Sequence, residues 1–289
     1  MTEKASIQIR TMTCMALSLA IVCAVQTTAV LPASPGIFQQ AAPAQGQFQP
    51  QVGQAGKDVV WVPTPQALVD KMLDMAKVTP QDYVIDLGSG DGRTVITAAK
   101  RGAKALGIEY NPEMVQLSKR NAANDRVSER VNFLQADLFQ SDFSQATVVT
   151  MFLLPDINLK LRPKILDMKP NTRVVSNTFT MGEWMADETA TVGDGCVSWC
   201  TALLWIVPAK VAGTWRLPQG ELRLTQDFQM ISGTLGAGNG ATPITNGKMN
   251  GDQVSFTAGA ARYTGRVSGN TMEGAVKSGG SSTNWRATR

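Results

Sequence analysis

The sequence predicts an α/β fold in residues 58–210, followed by a small antiparallel all-β domain in residues 211–289. Two observations predict the α/β domain. Short apolar runs alternate with segments of helical periodicity, and a glycine-rich turn follows the first of these runs. A third observation predicts the β domain, because polar and apolar residues alternate there between Asn-Gly and Ser-Gly-Asn turns.

Helices and strands alternate regularly through the α/β domain. Thr64-Pro65 is typical of a helix start, with threonine as the cap and proline at the first helical position. The alternation predicts a parallel sheet with right-handed crossovers, whose strands end at one common edge. In order, the predicted elements are a helix at 65–77, a strand at 83–87, a helix at 94–101, a strand at 105–109, a helix at 112–124, strands at 131–135 and 147–153, a helix at 157–168 and a strand at 173–177.

The glycine-rich turn, from Gly88 to Gly92, joins the first predicted strand to a helix. Glycine lets the backbone approach a ligand closely, and the helix start directs unpaired N–H groups at it. The G-x-G-x-G spacing differs from the G-x-G-x-x-G of dinucleotide-binding enzymes, so a nicotinamide-dependent oxidoreductase is disfavoured. Asp86, just before the first glycine, suits a ligand with positive charge. S-adenosylmethionine is such a ligand, since it carries an ammonium and a sulfonium beside its carboxylate.

Three acidic residues follow predicted strands at the edge where ligands bind in sheets of this kind. Asp86 ends the first strand. Glu109 ends the second, where it suits two ribose hydroxyls or is an ordinary strand-end residue. Asp137 follows the third, where it accepts from an adenine amino group while Leu138 packs on the ring, or instead caps a helix. Together with the glycine turn, the three acids favour an adenosyl pocket.

These segments resemble the cofactor motifs of class I S-adenosylmethionine-dependent methyltransferases. The resemblance rests on residues 86–92, Glu109 and Asp137. Val62-Pro63-Thr64-Pro65 and Phe152-Leu153-Leu154-Pro155 look more narrowly like the protein-lysine methyltransferases related to the mitochondrial enzyme that modifies the ATP synthase c subunit.

Over residues 58–207 this resemblance implies a Rossmann-like seven-stranded sheet, with an antiparallel last strand at 198–207. It also implies S-adenosylmethionine as the cofactor and a protein lysine as the methyl acceptor. The cofactor-binding residues that it implies are Asp86, Gly88, Ser89, Gly90, Glu109, Asp137 and Leu138.

Methyl transfer needs alignment more than acid–base groups, because an amine attacks the methyl carbon in line. A lysine acceptor must arrive neutral, and desolvation with a nearby carbonyl or carboxylate helps to remove its proton. Leu154, Pro155 and Asp156 are the candidate catalytic residues, since they follow the fourth predicted strand, where other methyltransferases hold an acceptor nitrogen. In the alternative interpretation, Pro155 ends the strand and Asp156 caps a helix.

The composition narrows the chemistry further. The absence of histidine removes the Ser-His-Asp and Cys-His arrangements. With four cysteines and no C-x-x-C pair, a catalytic zinc site is not expected. The net charge of +4, without a basic run interleaved with aromatics, does not indicate nucleic acid as a partner.

Cys196 and Cys200 follow the N-terminal segment that holds the other cysteines. They are expected to be free buried thiols, because the apolar run from 197 to 207 resembles a strand. A straight strand would hold two cysteines at this spacing too far apart to bridge, whereas a bend would permit a disulfide.

Residues 1–32 are typical of a secretory signal peptide or of a membrane anchor, because Lys4 and Arg10 precede an apolar run that small residues follow. Residues 33–57, rich in Gln, Pro, Ala and Gly, are expected to form a disordered linker. The leader predicts an exported, periplasmic domain, or one anchored through the N-terminal segment on either side of the membrane. An exported protein that binds an adenosyl ligand without catalysis is therefore the alternative function.

The β domain is expected to close into a small barrel or sandwich. It is either a structural appendage or a surface that recruits the methyl acceptor.

Overall fold

The computed structural model describes residues 48–218, 220–236 and 240–289. The predicted leader, residues 1–32, and residues 33–47 of the predicted linker lie outside the described residues. In chain order, the first domain contains α1 (Gln66–Met75), β1 (Tyr83–Leu87), α2 (Arg93–Lys100), β2 (Lys104–Glu109), α3 (Pro112–Asn124), β3 (Val131–Gln135), β4 (Val148–Met151), α4 (Pro155–Leu166), β5 (Arg173–Asn177), β6 (Glu188–Thr191) and β7 (Thr201–Ile206).

These strands form one seven-stranded sheet in the order β3-β2-β1-β4-β5-β7-β6. Strands β1 to β5 lie parallel, and β7 runs antiparallel to both β5 and β6. The predicted α/β class, the seven strands and the antiparallel strand are confirmed. β7 is shorter than the predicted strand at 198–207, because residues 194–199 form turns and bends before it.

Alternate residues of each central strand bury opposite faces of the sheet. Val84 and Val148 pack with the apolar residues of α1, α2 and α3 on one face. Their neighbours Ile85 and Val149 pack with α4 and Trp184 on the other face. Both faces are therefore covered, which explains why these strands are continuous apolar runs. The carboxyl edge of the sheet is left as the place where a ligand can reach the strands.

The start of α1 differs from its predicted cap. The helix begins at Gln66, Pro65 is the cap residue, and no side chain caps the helix. Thr64 is buried, and its Oγ1 accepts a hydrogen bond from Asn177 Nδ2 at 3.2 Å. The hydroxyl is used to join α1 to the end of β5.

No helix in the described ranges has the length and apolarity needed to cross a bilayer.

Residues 54–64, which we call the strap, run across the carboxyl edge of the sheet before α1. Trp61 N donates to the carbonyl of Gln54 at 2.9 Å, and Gly53 N donates to the carbonyl of Trp61 at 2.8 Å. Val59 packs against the apolar cluster of the sheet. Residues 48–57 belong to the segment predicted as disordered linker. In the structure, the backbone groups of Gly53, Gln54 and Gly56 pair with Val59 and Trp61, just beyond the predicted boundary.

The second domain is a closed barrel of eight antiparallel strands, in which each strand pairs with its neighbours in the chain. Its strands are β8 (Gly213–Leu217), β9 (Gly220–Asp227), β10 (Met230–Gly236), β11 (Thr242–Asn250), β12 (Gln253–Ala258), β13 (Ala261–Ser268), β14 (Thr271–Ser278) and β15 (Ser281–Thr288).

Apolar side chains fill the inside of the barrel. The rings of Phe256 and Tyr263 stack with centroids 4.8 Å apart, and Trp285 meets both rings edge-on. The ring of strands is completed between β15 and β8, where Thr288 lies opposite Arg216. The barrel interior is therefore a packed core.

The turn between β9 and β10 packs the barrel onto the first domain. Phe228 in this turn stacks on Trp184 with ring centroids 6.0 Å apart. The guanidinium of Arg162 lies 5.2 Å from the centre of the Phe228 ring. Gln229 donates from Nε2 to the carbonyl of Met185 at 2.8 Å. The two domains thus share an apolar contact that hydrogen bonds reinforce.

Candidate functional site

The glycine-rich turn leads from β1 into α2 at the carboxyl edge of the sheet. All three of its glycines have positive φ, at +75° for Gly88, +55° for Gly90 and +83° for Gly92. Only glycine adopts this region at no steric cost. Space also requires glycine, since a Cβ on Gly90 would lie 2.7 Å from Trp61 Nε1. The backbone therefore approaches the cavity as the sequence predicts.

Asp86, at the end of β1, is 6% exposed beneath this turn. Its Oδ1 accepts a hydrogen bond from Thr150 Oγ1 at 2.6 Å. Burial raises the pKa of the carboxyl to about 7, and the negative charges of Glu109 and Asp91 add to this rise while Thr150 opposes it. A ligand cation beside Asp86 would favour the ionised carboxylate.

Glu109, at the end of β2, is held by two backbone amides. Its Oε2 accepts from Gly90 N at 2.9 Å, and its Oε1 accepts from Asn111 N at 2.9 Å. The first bond ties the carboxylate to the glycine turn, and the second ties it to the start of α3. Each oxygen keeps a lone pair, so the carboxylate is oriented but still able to accept from ligand hydroxyls.

Asp137 follows β3 and meets the strap. Its Oδ1 accepts from Phe139 N at 2.9 Å, and its Oδ2 accepts from Lys57 Nζ at 2.6 Å. The hydrogen bond from Lys57 lowers the pKa of Asp137 and is also the main cause that raises the pKa of Lys57. Lys57 lies 4.9 Å above the centre of the Tyr110 ring. The predicted adenine-binding carboxylate is therefore also the anchor of the strap.

These groups line one open cavity of about 1080 Å³, a volume that includes the solvent space at its mouth. The three carboxylates can accept hydrogen bonds from an ammonium, from ribose hydroxyls and from an adenine amine. This set of acceptors fits S-adenosylmethionine. Ser89 Oγ, buried beside the turn, has no hydrogen-bond partner among the described residues. The cofactor-binding roles stay a prediction, and the structure brings all seven predicted residues to this cavity: Asp86, Gly88, Ser89, Gly90, Glu109, Asp137 and Leu138.

Sequence reasoning missed several residues of the same cavity. Trp61 of the strap, Tyr110 after β2, Met114 of α3 and Phe152 after β4 all line it. The neighbouring segment Val62-Pro63-Thr64-Pro65 was singled out only because it resembles protein-lysine methyltransferases. Nothing in its composition indicated a ligand-binding residue. Tyr110 is 52% exposed and directly follows Glu109, so its position in the chain was the available signal.

Leu154, Pro155 and Asp156 form the start of α4, which begins two residues earlier than predicted. Leu154 is the cap residue, and proline occupies the first helical position. The carbonyl of Leu154 accepts from Ile157 N at 3.0 Å. All three residues are exposed, and the cavity lining passes from Leu153 to Ile157 without them. Their helix-starting role is observed, and their catalytic role stays a prediction.

Cys196 and Cys200 form a disulfide, with Cα atoms 5.8 Å apart. The expectation of two free buried thiols is wrong for both cysteines. It assumed a straight strand, whereas residues 194–199 form a bend and β7 begins only at Thr201. Trp199 in this bend has a φ of +58°. The bend brings the two cysteines within bridging distance.

Part of this chain is similar in sequence to known methyltransferases. Residues 86–188 match the family model described as ANTKMT methyltransferase domain. The chain is 45% identical over 140 residues to a protein-lysine N-methyltransferase of Saccharolobus islandicus, and the match covers 47% of this chain and 87% of that protein. It is 33% identical over 128 residues to the human lysine N-methyltransferase of the ATP synthase c subunit, and that match covers 44% of this chain and 54% of that protein.

Among solved structures, the chain is similar to an RNA methyltransferase from Salinibacter ruber in complex with S-adenosyl-L-homocysteine. The identity is 44%, the TM-score is 0.49, and the match covers 52% of this chain and 96% of that chain.

Proposed function

We propose that this chain, which belongs to the protein-lysine N-methyltransferase family, methylates the ε-amine of a lysine side chain in a protein. Membership of this family makes the chain an S-adenosylmethionine-dependent methyltransferase. The alternative of a binding protein without catalysis has no support. The observation that carries the proposal is the convergence of Asp86, Glu109 and Asp137 on one cavity beside the glycine turn.

The cofactor, when bound, supplies a methyl group made electrophilic by its sulfonium. We expect Asp86 to bind the cofactor ammonium, because a buried carboxylate gains most from an opposite charge. We expect Glu109 to accept from the ribose hydroxyls, and Asp137 from the adenine amine. Residues of the strap line one side of this cavity.

The acceptor amine would enter where β4 ends, beside Phe152 and Leu153. Its attack needs a neutral nitrogen, although the free amine has a pKa of about 10.4. The apolar rim favours the neutral form of the amine, and the exposed carboxylate of Asp156, in the first turn of α4, is the candidate group for receiving its proton. We assign Leu154, Pro155 and Asp156 to positioning the acceptor at this opening.

The test is methyl transfer from S-adenosylmethionine with a labelled methyl group to soluble and membrane extracts. We expect label in protein, at lysine, as identified by mass spectrometry after protease digestion. Asp86→Ala is the inactive control, and Asp125→Asn, at an exposed ion pair with Lys100, is the matched carboxylate control. Label that is lost on ribonuclease treatment and absent from protein would contradict the proposal.

We infer that the domain is exported, or anchored through its N-terminal segment. The leader-like pattern of residues 1–32 and the Cys196–Cys200 disulfide support this, because disulfides persist in oxidising compartments. Fusion of residues 1–46 to alkaline phosphatase, which is active only after export, is the test. An inactive fusion beside an active control with a known leader would contradict export.

A further inference from the structure

Three aromatic side chains form a cluster beside the cofactor cavity. Ring centroids are 5.9 Å apart between Phe152 and Phe179, 5.3 Å between Phe179 and Trp199, and 6.1 Å between Phe152 and Trp199. Trp199 is 43% exposed, and the other two residues are half-buried. Exposed aromatic groups of this kind mark binding surfaces, because their burial by a ligand is favourable.

The cluster lies at the same edge of the sheet as the cavity. Phe152 directly follows β4 and lines the cavity, and Phe179 follows the end of β5. Trp199 precedes β7, whose start is joined to the end of β5 by a hydrogen bond from Thr178 N to the carbonyl of Thr201 at 2.7 Å. The three rings therefore form one cluster that adjoins the cavity through Phe152, which belongs to both.

The backbone of Trp199 is held in an unusual conformation. Its φ of +58° lies in the left-handed region, which is uncommon for a bulky side chain and persists only where the surroundings impose it. The Cys196–Cys200 disulfide closes the bend around this residue. The bend lies beyond residues 86–188, so the family match does not account for it.

We propose that Phe152, Phe179 and Trp199 bind the side chain of the acceptor lysine, and that the Cys196–Cys200 disulfide positions Trp199 for this. The inference rests on the proposed function, because it takes a lysine as the acceptor. Aromatic faces pack on the aliphatic stem and attract ammonium and methylated ammonium groups.

In the reaction at this site, the amine nitrogen forms a bond to the methyl carbon as the bond from that carbon to sulfur breaks. The electron pair of the broken bond stays on sulfur, which becomes the thioether of S-adenosylhomocysteine. The methylated nitrogen then releases one proton to water. The product retains a methylated amine that the three rings can still bind.

The test uses the full chain saturated with S-adenosylhomocysteine and the probe Nα-acetyl-Nε-trimethyl-lysine methylamide. The neutral norleucine analogue is the reference, and binding is followed by the NMR shift and broadening of the probe's own methyl proton signals, which can be observed with every variant. We expect Trp199→Leu to weaken probe binding by about tenfold, and Trp199→Phe to retain most of it. The affinity for S-adenosylhomocysteine, measured by calorimetry, should not change.

Val197→Ala is the matched control, because Val197 lies in the same bend and is fully exposed. The double variant Cys196→Ser with Cys200→Ser should weaken the probe about as much as Trp199→Leu does. Label transfer to protein lysines at limiting extract should fall by about tenfold in Trp199→Leu.

Equal probe binding and equal lysine labelling in Trp199→Leu and the unchanged chain would overturn this inference and leave the proposed function standing. Label in RNA in place of protein lysine would overturn the proposed function and this inference together. The two failures are therefore distinguishable.

Discussion

At the scale of single residues, the binding of a cation is expected to change the protonation state of the Asp86 carboxyl. Burial raises its pKa to about 7, so near neutrality the free protein holds the carboxyl partly protonated. A bound ammonium would favour the carboxylate. Ligand binding and proton release are therefore coupled through this one group.

The affinity for S-adenosylhomocysteine should depend on pH through Asp86. Below the pKa of about 7, binding must first ionise the carboxyl, so affinity falls as pH falls. At pH 6 the dissociation constant should be about tenfold larger than at pH 8. Calorimetry at both pH values, in buffers of different ionisation enthalpy, would also detect the released proton. A flat profile would contradict this role.

Asp86→Asn should weaken S-adenosylhomocysteine binding by about 10- to 100-fold, because a charge-assisted hydrogen bond is lost. The same change should stabilise the free protein at pH 8, because no buried carboxylate remains. Calorimetry and urea unfolding measure the two effects. Lower stability with unchanged affinity would show that Asp86 is structural.

At the scale of elements, the strap is tied at both ends to the groups that it covers. Lys57 pairs with Asp137, and Arg93 donates from NH1 to the carbonyl of Thr64 at 2.9 Å. Arg93 is itself paired with Asp91 of the glycine turn at 2.6 Å. The strap is thus closed over the cavity by charges that belong to the cofactor site.

Lys57→Met should loosen the strap. We expect about fivefold weaker binding of S-adenosylhomocysteine, mainly through faster dissociation, because the ion pair that holds the strap over the cavity is lost. Stopped-flow displacement measures the rate. Lys100→Met, at the exposed pair with Asp125, is the control. Tighter binding in Lys57→Met would mean instead that Lys57 competes with the ligand for Asp137.

At the opposite edge of the sheet, Asp82 links the amino ends of three strands. This carboxylate accepts from Thr79 N at 2.8 Å and from Thr147 Oγ1 at 2.7 Å, and it pairs with Arg173. Burial by itself raises its pKa, but the bonds from Arg173, Thr147 and Thr79 outweigh this and lower it. The group therefore joins β1, β4 and β5 at their amino ends.

Asp82→Asn should reduce the free energy of unfolding by about 2 kcal/mol at pH 7, because Arg173 loses its partner. A lowered native pKa contributes stability that is present above the unfolded pKa of about 3.9 and is lost as pH falls through the native value. The difference in stability between the variant and the unchanged chain should therefore be smaller at pH 3 than at pH 7. Urea unfolding at pH 7 and pH 3 measures both.

Sequence patterns predict the elements best where packing is uniform. β1, β3, β5 and α3 have the predicted bounds, because their apolar runs and the Asn111-Pro112 start are local signals. The seven residues predicted to bind the cofactor lie at one cavity for the same reason, since strand ends share one edge. Trp199 and Lys57 could not be predicted, because their positions depend on a bend and on a partner 80 residues away.

At the scale of the whole molecule, the barrel is packed onto the first domain and is not a loose appendage. Trp184 is fully buried between the sheet and Phe228, and its carbonyl accepts from Trp205 Nε1 at 2.7 Å. The contact lies at the face of the sheet that α4 covers. The barrel is therefore expected to stabilise the helix that begins at the acceptor opening.

Phe228→Ala should uncouple the two domains. We expect a loss of about 2 kcal/mol, because a half-buried ring is removed from Trp184 and Arg162. One cooperative unfolding transition should become two in calorimetry. Phe256→Leu, inside the barrel, is the control that destabilises the barrel without changing the contact. A single transition with an unchanged midpoint would contradict the coupling.

The closure of the barrel has a mechanical consequence. β15 meets β8 at Thr288 and Arg216, whereas every other neighbouring pair of barrel strands shares four or more register positions. Arg289 reinforces this seam, with its guanidinium 4.4 Å from the Trp215 ring. Under mechanical load, we expect the barrel to open first between β15 and β8. In hydrogen–deuterium exchange, the backbone amides of β8 and β15 should exchange before those of β12 and β13.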